Sequence, residues 1–75
     1  MEIDEGFILS NKFRRIIFDE FASGQTNLNY IIKKNHMIRR VAEKVTNEFI
    51  EGGILKKQGN GYILTEKGEK LSETL

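Results

Sequence analysis

Between residues 11 and 53 the apolar positions repeat at helical spacing, and after a double glycine the pattern changes to short extended runs. In the first stretch Phe13, Ile16, Ile17 and Phe21 form one stripe. With Ser10 as N-cap and Gly24 as a left-handed stop, they predict a helix from Asn11 to about Ser23. Phe18 falls about 120° from the centre of that stripe. It is expected outside the main contact, covered, if at all, by another helix, the N-terminal segment or a second subunit. Asp19 and Glu20 stand late in this helix, against the usual dipole preference. Ahead of it, Phe7-Ile8-Leu9 reads as a docked extension or an edge strand within an N-terminal segment, residues 1–9.

Gln25 and Thr26 read as a connector that could hold one short strand. Asn27 then caps a short helix over 28–34 whose apolar positions are Leu28, Ile31 and Ile32. Lys33 to His36 make a polar break, and Met37 plugs the turn. The next helix, about 38–52, buries Ile38, Val41, Ala42, Val45 and Phe49 and ends on Gly52-Gly53. Two helices joined by a tight turn, the first short and the second longer, make a helix-turn-helix. Ile54 to Lys57 reads as a strand, Gln58 to Gly61 as a turn and Tyr62 to Leu64 as the returning strand. Asn60-Gly61 is the hairpin signal, since both residues tolerate positive φ. Thr65 caps a last helix, about 66–74, anchored by Leu71 and weakened by Gly68 by about 1 kcal/mol relative to alanine. The fold class expected is α+β, mostly α, as one domain over residues 1–75.

The third of these helices has a second face. Opposite its apolar side stand Arg40, Glu43, Lys44 and Asn47, with Arg39 on the flank. Charge sharpens the picture. The whole chain carries a net charge of only +1, which excludes a general polycation. Yet seven Lys/Arg face three Glu between residues 33 and 57, while Glu2, Asp4 and Glu5 make the N-terminus acidic. A near-neutral chain with one concentrated basic segment suits a nucleic-acid face better than a nonspecific coat.

The order helix, helix-turn-helix, hairpin, helix resembles the winged-helix DNA-binding domain of MarR-like and related transcription regulators. Three matches carry the resemblance. Val45-x3-Phe49-x2-Gly52-Gly53-Ile54-Leu55 is similar to the exit of the family's third helix. Lys56 to Tyr62 is similar to its turn-rich wing. Gly61-Tyr62-Ile63-Leu64-Thr65-Glu66-Lys67-Gly68 is similar to the family's Y-x-L-T-x-K-G segment. The match spans about residues 10–75, and small single-domain archaeal winged-helix proteins are the nearest expected relatives. The Asn35-His36-Met37 turn departs from the family's commoner Gly-apolar-Ser.

The resemblance implies a three-helix core, a wing over 54–64 and sequence-specific binding of double-stranded DNA by a cytoplasmic transcription regulator. The third helix would lie in the major groove. Arg40 is the first candidate for a base contact, since a guanidinium pairs bidentately with guanine; Glu43 suits a cytosine amine and Asn47 an adenine. Arg39 and Lys44 complete that face. Lys33, Lys34 and His36 would meet the phosphate backbone, and Lys56, Lys57 and Asn60 from the wing would touch the backbone or an adjacent minor groove. Arg39 and Arg40 also have the spacing to pair with Glu43 on the helix surface.

Other classes fit less well. The chain has one His and no Cys, with no Walker loop, no Gly-x-Ser-x-Gly and no His-Glu-x-x-His, so no enzyme, metal or cofactor is expected. No apolar run approaches the roughly 20 residues of a membrane span. The main alternative is a winged-helix protein–protein interaction module that does not read DNA. RNA or single-stranded DNA would call for exposed aromatic platforms, and among the basic residues only Tyr62 qualifies. A homodimer, if formed, is expected through the N-terminal segment, the first helix or the C-terminal helix, near Phe18, Phe7-Ile8-Leu9, Leu71 and Leu75.

Overall fold

The computed structural model describes residues 2–75. Helices α1 (Glu5–Leu9), α2 (Lys12–Ala22), α3 (Leu28–Lys34) and α4 (Arg39–Glu51) precede an antiparallel hairpin, β1 (Leu55–Gln58) and β2 (Gly61–Leu64), and helix α5 (Glu66–Thr74) follows. The mostly helical α+β architecture and the element order agree with the sequence reading, and the topology is winged-helix-like. No helix among the described residues is long and apolar enough to cross a membrane.

Local chemistry sets the helix starts. Asp4 Oδ1 accepts from the amide of Phe7 at 2.9 Å, which opens α1 where an edge strand or docked extension was expected. Asn11, not Ser10, caps α2, its Oδ1 accepting from the amides of Phe13 and Arg14. Ser10 instead closes α1. Asparagine and serine are comparable N-caps, so their order in the sequence could not decide which one served. Asn27 caps α3 and Thr65 caps α5, as expected. Helix α4 starts on Ile38, which offers no capping atom.

The core joins Ile3 and Ile8 of the N-terminal segment to Ile17, Phe18 and Phe21 of α2, Ile31 and Ile32 of α3, and Ala42, Val45 and Phe49 of α4, with Ile54 and Leu55 closing it. Phe13 and Ile38 leave the expected core, and Phe18 is covered by another helix, one of the three covers expected for it. Phe18 is 1 % exposed and meets Phe49 edge-to-face at 6.1 Å between ring centres, while Phe13 is 40 % exposed. Helix α2 is therefore turned so that Ile17, Phe18 and Phe21 face inward, with Ile16 only half-buried. Contacts from α1, α4 and β2 give it three partners and a broader buried face than one stripe. Ile38 is 67 % exposed rather than buried. Met37, half-buried against the core, plugs the turn as expected.

The hairpin register is Leu55↔Leu64, Lys56↔Ile63, Lys57↔Tyr62 and Gln58↔Gly61, leaving the two-residue turn Gly59-Asn60. Positive φ falls on Gly59 (60°) and not on Asn60 or Gly61, the pattern of a type II′ turn with glycine first. Gly61 is needed for another reason. A Cβ there would sit 2.5 Å from the carbonyl oxygen of Thr26, which accepts from the amide of Tyr62 at 3.0 Å. The 25–26 connector thus adds one strand-like hydrogen bond to β2.

The Thr65-to-Gly68 segment docks α5 on the exit of α4. Thr65 Oγ1 donates to the carbonyl of Gly53 at 2.6 Å and accepts from the amide of Gly68 at 3.1 Å. Lys67 Nζ donates to the carbonyl of Gly52 at 3.3 Å. Gly68 is buried so close to Ile54 that a Cβ would lie 2.1 Å from its carbonyl oxygen.

Candidate nucleic-acid interface

Helix α4 is fixed from behind. Ala42, Val45 and Phe49 are buried, and Thr46, the polar residue on that side, turns its hydroxyl back to the Ala42 carbonyl at 2.8 Å. Glu48 is held by Arg14 of α2. The remaining direction is open, and Arg39, Arg40, Glu43, Lys44 and Asn47 are all exposed. Arg39 pairs with Glu43 at 3.7 Å, one helical turn on, in a bridge more than half exposed on both sides. Such a pair is worth a few tenths of a kcal/mol, about 0.3–0.5, and yields readily to a stronger partner. Among the described residues Arg40 and Lys44 make no ion pair.

The hairpin borders this face. Glu43, Thr46 and Asn47 of α4 and Tyr62 of β2 line one shallow cleft of about 150 Å³. Lys57 stands opposite Tyr62 across the hairpin, so it shares the side that faces α4. Lys56, opposite Ile63, lies on the other side. Tyr62 itself packs on Phe21 at 5.9 Å between ring centres, which sets the hairpin against α2 and excludes it as a free stacking platform. Asn60 is exposed at the tip.

The preceding helix contributes unequally. Lys33 is exposed and, among the described residues, in no ion pair. Lys34, expected at the phosphate backbone, reaches Glu20 of α2 at 3.1 Å. Glu20 also accepts from Asn35 Nδ2 at 3.0 Å. The Asn35 amide, with Lys34 beside it, holds the Glu20 carboxyl below its ordinary range against the opposing effect of burial. His36 is exposed in the turn with φ of 53°, a left-handed conformation that few non-glycine residues adopt.

Two exposed groups near this face were missed in the sequence. Tyr30 is 51 % exposed on α3, three and four residues ahead of Lys33 and Lys34. The spacing that puts Tyr30 on the same face as Lys33 was the available signal. The other is Ile38, which helical periodicity wrongly assigned to the core. No family model, no curated protein and no solved structure matches the chain.

Proposed function

We propose that the protein binds double-stranded DNA sequence-specifically as a transcription regulator, with α4 in the major groove and the hairpin as a wing on the flanking backbone. The observation that carries this reading is the outward face of α4. It presents Arg39, Arg40, Glu43, Lys44 and Asn47 to solvent from a helix anchored on its other side. A helix of this diameter fits the major groove, and those side chains have the donors and acceptors that base edges discriminate. Lys33 and Lys57 flank the helix with cations suited to phosphate. The finer resemblance, to small MarR-like single-domain regulators of archaeal type, belongs to the same proposal.

A protein–protein module is the second reading. It is favoured by the apolar exposure of Ile38 at the start of α4 and of Phe13, which lines a cleft with Val41 and Lys44. A titration of a mixed-sequence duplex at low salt, followed by NMR shift mapping, decides between them. The DNA reading expects binding that weakens steeply with salt, with shifts confined to residues 33–47 and 56–61. Absence of duplex binding at low salt overturns it.

A further inference from the structure

Ile38 breaks two local rules at once. It occupies the N-cap of α4, where Ser, Thr, Asp or Asn would satisfy a first-turn amide, and it supplies no acceptor. It is also the most exposed large apolar side chain among the described residues, at 67 %. The backbone accounts for the exposure. Met37 is tied by its amide to the Ile32 carbonyl at 3.0 Å and turns into the core, and Ile38 follows in an extended conformation (φ −78°, ψ 127°), so its side chain points the other way. The backbone does not account for the isoleucine, since a serine or asparagine here would cap the helix and meet water.

We infer that Ile38 is a specificity-determining residue that packs on the 5-methyl group of thymine in the major groove. This rests on the reading of α4 as the groove helix. In that geometry the first residues of the helix approach base edges. Among the features displayed there, the thymine methyl is the apolar one. A β-branched side chain, already stiff at χ1, loses little freedom on making the contact. The neighbours decide between occupants. Ile38 is followed at once by exposed Arg39 and Arg40. A protein docking patch would have to cover those charges together with the isoleucine, whereas the groove offers anionic walls and a methyl within one helical turn.

The test begins with the tightest duplex selected from a randomised pool. Each thymine in its footprint is replaced in turn by deoxyuridine, which removes the methyl and keeps the pairing. The wild-type chain is expected to lose about fourfold in affinity at one position, the equivalent of about 0.8 kcal/mol for one buried carbon group. Ile38→Ser and Ile38→Ala are expected to bind the two duplexes equally. Equal binding by the wild type overturns the inference and leaves the DNA reading intact. So does a selected site without thymine at the position contacted, or a preference that persists in both variants. If no duplex binds, the DNA reading fails and the inference falls with it.

Discussion

Arg14 holds Glu48 across two helices, with Nε donating to Oε1 at 3.3 Å and Nη2 to Oε2 at 3.4 Å. The same guanidinium lies 3.7 Å from the centre of the Phe7 ring and donates from Nη1 to the Phe7 carbonyl at 3.3 Å. One side chain therefore ties α1, α2 and the back of α4. Both members of the ion pair are mostly buried, at 20 % and 18 % exposure, so the pair is screened less than a surface bridge. Arg14→Ala is expected to lower stability by about 1–2 kcal/mol. Glu48→Ala costs less, because Arg14 keeps its contacts with Phe7. A double-mutant cycle by urea denaturation should return a coupling of about 1 kcal/mol, and strict additivity would refute the arrangement.

Gly68 tests whether helix propensity or close contact governs α5. Propensity alone makes Gly68→Ala stabilising by about 1 kcal/mol. The 2.1 Å approach of a Cβ to the Ile54 backbone carbonyl makes it destabilising, since that atom cannot swing away as a flexible side chain would. The expected net loss is about 2 kcal/mol in chemical denaturation.

Glu20 gives the fold a pH dependence whose sign follows from its depressed pKa. The folded chain holds the proton less tightly than the unfolded chain. The stabilisation is therefore complete above the unfolded carboxylate value, about 4.3, and fades as pH falls through the lower folded value. Comparing the wild type with Glu20→Gln at a series of pH values should give a constant difference near neutrality that shrinks in acid. A difference that grows on acidification would contradict the Asn35–Glu20–Lys34 arrangement.

Ile38→Asn should supply the missing cap of α4. A gain of about 1 kcal/mol is expected, visible as a rise in Tm of about 4–8 °C for a domain of this size. Circular dichroism melting measures it, and an unchanged Tm would mean that the first turn of α4 has no use for a cap.

For the proposed DNA complex, Arg40→Ala is expected to weaken binding to the preferred duplex by about 1–3 kcal/mol and to relax preference at one base pair. Lys57→Ala should weaken all duplexes alike and reduce the salt slope by about 1. Lys56→Ala, on the opposite side of the hairpin, should do less than Lys57→Ala. Anisotropy titrations at several salt concentrations separate the three.

Much of the fold was legible because periodicity and punctuation agreed. Asn27 with Ile31 and Ile32, the stripe from Val41 to Phe49, and Gly52-Gly53 each pointed to the element that formed. The misreadings share a cause. Helical spacing ranks positions around an axis, but it does not know how many partners the helix has. Phe18 fell off the stripe with its cover left open among three candidates, because the Phe49 ring that covers it arrives from a distant part of the chain. Ile38 looked buried because it fits the spacing, although the helix begins only at the residue after it. The hairpin was placed correctly from Asn60-Gly61, yet positive φ fell on Gly59, and Gly61 answered to Thr26 instead. In the candidate site, the outward set on α4 could be read from the angle around the helix alone. That Lys34 turns back to Glu20 could not, because the α2–α3 packing that brings them together is tertiary.

The hydrogen bond from the Tyr62 amide to the Thr26 carbonyl has a mechanical consequence. A two-stranded ribbon joined to its domain only by its ends would swing as a flap about Gly53 and Thr65. Here the returning strand is bolted at its first residues to the segment that launches α3, with Tyr62 wedged on Phe21 beneath it. Beyond that bolt only the turn residues Gly59 and Asn60 lie outside the strand pairing. The reach of Lys57 is thereby gauged from α3 and α4, and the hairpin keeps its distance from the helix it flanks.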